Sequence, residues 1–390
     1  MIKFKISAPG RIALCGEHTS IYGKEIVLAS IDRRTTLEFY ELNNDARNII
    51  NIKFPDIGLG LNIPLALVLR FISDDNFIHV VEDNAQLLRD VQYFITSNGL
   101  WKTYPQRFSL QTFFFLLLYI AHHEKIVIKP FRVHLTTKLP IGAGLGSSTS
   151  FAVCLAACFL HWARLQKGIS NNKFSSFELA QISKYASCCK EVLQNFIVQN
   201  DSDICTYGKI IRFRYGGQQL HDTKIINIPS EMNILLINSK FRQNKNEQIN
   251  QMAEMKHYFP STVNIVLNKL DRVSNKICCM LVAVNNNYRN GNFLQSQQSY
   301  TALSIFIQLH QQMLCYLGLS HPKLNIICLI AQHYGFAGKL TGSGGYAYIL
   351  PPPDLTNAKE RILGLIQHLK AENFIVSGTV MCCNGVRIED

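Results

Sequence analysis

The sequence is short of the features that would place it in a membrane, at a metal centre or along a nucleic acid. Its most membrane-like run, Phe113–Ala121, is far shorter than the roughly 20 apolar residues that span a bilayer, so a buried core helix is the expectation. The N-terminus, Met1-Ile2-Lys3-Phe4-Lys5, lacks the long apolar region of a signal peptide. The 12 cysteines include no CxxC pair and no CxxC/HxxxH framework. Several, such as Cys154 and Cys158, sit among apolar neighbours, which points to buried free thiols in a reducing compartment. Cytoplasmic location without stable membrane association is the expectation. The net charge is +12, but the 39 Lys and Arg are scattered and form no long basic run. That argues for a solvated basic surface and against a nucleic-acid partner. Internal repeats and low-complexity segments are absent. At 17% charged and 47% hydrophobic residues, the chain suits a soluble globular protein with a substantial core.

What is present centres on Leu139-Pro140-Ile141-Gly142-Ala143-Gly144-Leu145-Gly146-Ser147-Ser148-Thr149-Ser150. Upstream, Phe131–Thr137 alternates and is rich in β-formers, so a strand is predicted. Downstream, Phe151–Leu160 is apolar throughout and long enough for a buried helix. A strand, a glycine loop and a helix N-terminus form a phosphate cradle. Glycine lets backbone N–H groups approach the anion, and the helix end adds orphan donors and a positive dipole end. A Walker loop is excluded, because no Lys follows Gly146. A dinucleotide fingerprint fits poorly: the loop lies deep in the chain, and the region about 20 residues on is still helical. Ser148 can cap the helix or ligate a Mg²⁺ that bridges nucleotide phosphates.

The rest of the chain predicts two α/β halves. Strands are expected at Lys3–Ala8 and Arg11–Cys15, broken by Pro9-Gly10, and at Glu25–Ser30 and Thr35–Tyr40. A hairpin is expected around Ile49–Ile52, and helices from 63 to 123. A helix capped by Ser175 or Ser176 reaches Glu191. A boundary near residue 228 divides domain 1–228 from domain 229–390. The second half predicts long helices over about 245–290 and 295–317, a glycine turn into the strand Tyr346–Leu350, a helix near 356–371 and a final strand, Phe374–Val380.

Three motifs make the chain resemble the GHMP kinases, which are small-molecule phosphotransferases. They are Ser7-Ala8-Pro9-Gly10-Arg11-Ile12-Ala13-Leu14-Cys15-Gly16-Glu17-His18, the glycine loop from Pro140 to Ser148, and Lys339-Leu340-Thr341-Gly342-Ser343-Gly344-Gly345. They occur in the family's order across nearly the whole chain. Gly16-Glu17-His18 with Ile21-Tyr22-Gly23-Lys24, and the segment His310–His321, resemble the branch that acts on mevalonate. The resemblance implies an N-terminal ribosomal-S5-like α/β domain and a C-terminal ferredoxin-like α/β domain with the site in the cleft between them. It also implies ATP-dependent phosphorylation of the 5-hydroxyl of mevalonate in isoprenoid synthesis, with a homodimer as the assembly. On this resemblance Gly142, Ala143, Gly144, Leu145, Gly146, Ser147 and Ser148 wrap the ATP phosphates, with Thr137 and Asp56 as further nucleotide contacts. Ser148 and Glu191 hold Mg²⁺. Asp201 is the catalytic base, with Asp203 the alternative, and Arg11 stabilises the transferred phosphoryl. Glu17, His18, Thr341 and Gly342 shape the substrate region.

Two departures from the family pattern stand out. Arg11 replaces the usual Lys, keeping the charge but presenting a wider planar fork. The segment before the aspartate, Asn195-Phe196-Ile197-Val198-Gln199-Asn200, contains neither Gly nor Pro where the family has a small glycine-containing loop. Other readings remain open: a GHMP kinase for phosphomevalonate, a sugar or homoserine, or a non-catalytic ligand-binding regulator of the same fold.

Overall fold

The two alternating runs either side of Pro9-Gly10 form one strand. In the computed structural model β1 spans Lys3–Cys15, and a register shift at Pro9/Gly10 against its neighbour accommodates the proline. The next two predicted strands are likewise one, β2 (Glu25–Glu41). The structure describes residues 2–389 apart from 43–47, 73–76, 195–199, 217–218, 227, 229–230, 242–244, 343–344 and 355–357.

β3 (Ile49–Phe54) and β4 (Leu59–Pro64) make the expected hairpin around the tight turn Pro55–Ile57. Four helices follow: α1 (Leu65–Ile72), α2 (Phe77–Glu82), α3 (Asn84–Ser97) and α4 (Tyr104–Glu124). Then come β5 (Phe131–Thr137), α5 (Ser147–Gln166), α6 (Ser176–Gln194) and α7 (Asn200–Tyr207). Ser175 opens α6 with a capping box: its hydroxyl accepts from Glu178 N–H, and Glu178 accepts from Ser175 N–H. β6 (Ile210–Gly216), β7 (Gln219–Ile226) and β8 (Met232–Asn238) lead into the second half. The single helix predicted over 245–290 is two, α8 (Lys245–Tyr258) and α9 (Pro260–Arg289). Pro260 lacks the N–H needed to continue α8 and instead takes the first position of α9. The chain closes with α10 (Phe293–Tyr316), α11 (Pro322–His333), β9 (Ala337–Thr341), β10 (Tyr346–Leu350), α12 (Lys359–Ala371), β11 (Ile375–Met381) and β12 (Arg387–Glu389).

One mixed sheet runs through both halves in the order β4-β3-β5-β2-β11-β8-β10-β9. β1 pairs with β2 and β12, and β6 pairs with β2 and β7. The stretch before residue 228 holds most of one core, in which α4 and α5 pack their phenylalanines and Trp162 against β2 and β5. The last strand, β12, returns to β1, so the C-terminal residues join the first half. A second core mixes β1 and β2 with α9, α10 and β10, and a third lies within residues 235–374. Among the described residues α5 is long and apolar enough to cross a membrane, but 83% of that window is buried. Its apolar surface is already covered by the sheet and by its neighbouring helices.

Candidate active site

The loop from β5 to α5 carries Gly142, Gly144 and Gly146 at φ +72°, +73° and +79°. At Gly146 the requirement is steric as well as conformational, since an added Cβ would stand 2.7 Å from Arg11 Cγ. Gly146 occupies the N-cap of α5 and offers no side-chain cap, so Ser147 and Ser148 lie in the helix's first turn and both line the cleft. Ala143 and Leu145 turn their side chains into the core and give the loop only backbone. β1 fastens the loop from below. Arg11 N–H donates to Leu145 O at 2.9 Å, Arg11 Nη1 donates to Gly144 O at 2.9 Å, and Ser150 Oγ donates to Ala8 O at 2.8 Å. The third motif closes from the far side, where a Cβ on Gly342 (φ +58°) would stand 3.0 Å from Gly144 O. Ser343 and Gly344 of that motif lie outside the described residues.

Facing this loop is a charged cluster. Arg11 Nε donates to Asp201 Oδ1 at 3.0 Å and Nη2 to Oδ2 at 2.7 Å, a bidentate pair at the base of the cleft. Burial alone lowers the Arg11 pKa, but the adjoining Asp201 carboxylate outweighs it and leaves it raised, so the guanidinium stays charged. Asp203, the alternative base, points elsewhere. Ser183 Oγ donates to it from α6, it does not line the cleft, and burial pushes its pKa up. The segment 195–199, whose composition departs from the family, lies outside the described residues.

Helix phase settles which side chain of α6 enters the cleft, and it is not the expected one. Glu191, expected to hold Mg²⁺, is absent from the cleft lining. Its neighbour Lys190 turns inward, buried. Lys190 Nζ donates to Thr149 Oγ1 at 2.6 Å and stands 3.5 Å from Asp201 Oδ2. A protein seat for Mg²⁺ needs oxygen donors. Here Ser148 offers a hydroxyl, Asp201 is bound on both oxygens by Arg11, and an ammonium stands where a carboxylate was expected. Among the described residues no group of three His, Cys, Asp or Glu could hold a metal. The residues do not fit a Mg²⁺ held by Ser148 and Glu191.

Glu17 and His18 also line the cleft. Glu17 Oε1 accepts from the buried ammonium of Lys339, while its Oε2 is buried with no hydrogen-bond partner among the described residues. His310 lies behind them, fully buried, with both ring nitrogens unpartnered; burial holds its pKa well below the ordinary value. Thr341, expected at the substrate, is instead a strut. It is fully buried and absent from the cleft lining, and its hydroxyl accepts from Ala13 N–H at 2.9 Å. Asp56 Oδ2 accepts from Thr137 N–H at 2.8 Å, which pins the end of β5 to the Pro55–Ile57 turn; both residues line the cleft.

The cleft encloses about 880 Å³. Its charged end holds Arg11, Lys190 and Asp201. Its apolar end is walled by Ile57, Tyr104, Phe108 and Ile141, with Ile249 and Met252 entering from α8. Sequence reasoning missed Lys190, Lys339 and this apolar wall. Lys190 could have been found by phasing α6 from its buried positions Ile182, Ala186 and Cys189, which fall on the helix's inner face.

A glycine loop of the phosphate-cradle type, a fixed Asp–Arg pair facing it and a mixed α/β frame are the parts of a small-molecule kinase of the GHMP class, and the chain is similar to that family in sequence and in fold. Residues 113–192 match the GHMP kinases N terminal domain. The mevalonate kinase of Mus musculus is 26% identical over 349 residues, covering 87% of this chain and 83% of that protein. The solved Methanococcus jannaschii mevalonate kinase aligns with a TM-score of 0.67 at 17% identity, covering 100% of this chain and 99% of that one. L. major mevalonate kinase in complex with R-mevalonate aligns with a TM-score of 0.63 at 14% identity, covering 99% and 97%. Those two likenesses establish the fold.

Proposed function

We propose that the chain transfers the γ-phosphoryl of ATP to the 5-hydroxyl of mevalonate, making phosphomevalonate for isoprenoid synthesis. The observation that carries this reading is the bidentate Arg11–Asp201 pair standing opposite the glycine loop. Similarity to mevalonate kinases over 87% of the chain supports the choice of acceptor.

Phosphoryl transfer asks the protein for position and charge more than for covalent chemistry. The glycine loop and the first turn of α5 bind the phosphates with backbone N–H groups. Asp201 accepts the proton of the substrate hydroxyl, held in orientation by the two Arg11 bonds. Arg11, charged at every working pH, stabilises negative charge on the transferred group. Glu17 Oε2 and His18 offer polar contacts to the acceptor. Mg²⁺ arrives with ATP as part of the substrate. All 12 cysteines are free, which supports work in the reducing cytoplasm.

The test is to mix the purified protein with Mg-ATP and R-mevalonate and to follow ADP and phosphomevalonate. Stoichiometric formation of both is expected. No turnover of mevalonate, with turnover of galactose, homoserine or phosphomevalonate, would contradict the acceptor.

A further inference from the structure

Charge at the inner end of the cleft does not balance. Arg11 and Lys190 bring two positive charges against the single carboxylate of Asp201, all three largely buried. A buried cation without its own counter-ion is costly, so the surplus positive charge calls for an anion. Lys190 has three donors. Thr149 Oγ1 and Asp201 Oδ2 take two of them, and the residue lines the cleft beside Ser147 and Ser148 at the α5 N-terminus. The helix end and the third ammonium hydrogen therefore serve the same space, and both favour negative charge.

We propose that Lys190 binds the terminal phosphates of ATP directly, its ammonium supplying the fixed positive charge on the helix side of the cleft where, among the described residues, no carboxylate but the Arg11-bound Asp201 is present. The proposal rests on the kinase reading for the identity of the anion, but not on the identity of the acceptor. Its consequence is that nucleotide binds without a divalent ion.

Calorimetric titration with the non-hydrolysable analogue AMP-PNP in EDTA tests this. Wild-type protein is expected to bind it measurably, with Mg²⁺ tightening binding by less than about tenfold. K190M is expected to weaken metal-free binding by about ten- to a hundredfold, as loss of a charge-assisted hydrogen bond implies. K190R, which keeps the charge, is expected to retain most of it. K190Q replaces K190M if the latter shows no cooperative thermal transition. No metal-free binding by the wild type would overturn the proposal, as would folded K190M or K190Q binding within twofold of wild type. Phosphomevalonate formation is measured alongside. Lys190-dependent AMP-PNP binding in a protein that leaves mevalonate untouched would overturn the acceptor and uphold the role of Lys190.

Discussion

The two sides of the phosphate end are built in different ways. The loop side is backbone: three positive-φ glycines, a helix N-terminus and hydrogen bonds from β1. The helix side is side chain: Asp201 from α7 accepts from Lys190 of α6 and from Arg11 of β1. A backbone site depends on which residues can adopt its dihedrals, so sequence displays it directly. A side-chain site on a helix depends on rotational phase, where one residue means about 100°. That is why the loop lies where its motif predicts, while the inward position on α6 is Lys190 and not Glu191.

The sharpest way to break the comparison is at Asp201. D201N is expected to lower kcat by about a thousandfold, the range of a lost general base, with a smaller change in KM. D203N, removing a carboxylate that faces Ser183, is expected to leave kcat within a few-fold. Steady-state ADP release measures both, and equal losses would erase the distinction between the two aspartates. On the loop side, G146A forces a side chain into φ +79° and against Arg11. A drop of roughly ten- to a hundredfold in kcat/KM for ATP is expected from strain of about 1–3 kcal/mol. R11K keeps the charge but loses the bidentate fork, and is expected to cost about tenfold in kcat. E191Q, outside the cleft, is expected to change kcat/KM by less than about twofold, as surface substitutions do. A large E191Q effect would return the metal-ligand role to Glu191.

A change beneath both sides should leave the chemistry least affected. His161 is buried, edge-on to Phe4 at 4.7 Å, and burial lowers its pKa to about 4 from the ordinary 6.5. Between those values the unfolded chain takes up a proton that the native chain refuses. Stability therefore falls as pH drops from 6.5 toward 4, by up to about 3 kcal/mol for this one group. Chemical unfolding of the wild type and of H161Q across that interval should show a shallower slope in the variant, with kcat at pH 7.5 unchanged.

Much of the frame was legible before the structure. Ser7–His18 and Pro140–Ser148 carry their geometry in glycines and alternation, and both lie on the cleft. Neither Pro9-Gly10 nor the interval between residues 30 and 35 breaks its strand. A register shift absorbs the first, and β2 runs unbroken through the second. Thr341 was legible as a motif member but not as a strut, because its role depends on a partner 328 positions away, Ala13. Lys339 and His310 were hidden for the same reason. Their environment is assembled from β1, β9 and α10, and no local pattern announces a buried ammonium.

The most direct test is the rate of phosphomevalonate formation from Mg-ATP and R-mevalonate by wild type and D201N under one set of conditions. Product from the wild type at a steady catalytic rate, with loss of about a thousandfold in D201N, is the predicted result. Wild-type protein that binds ATP and forms no phosphomevalonate, or D201N that forms it at the wild-type rate, would contradict the assignment of Asp201 and Arg11 as the pair that drives transfer.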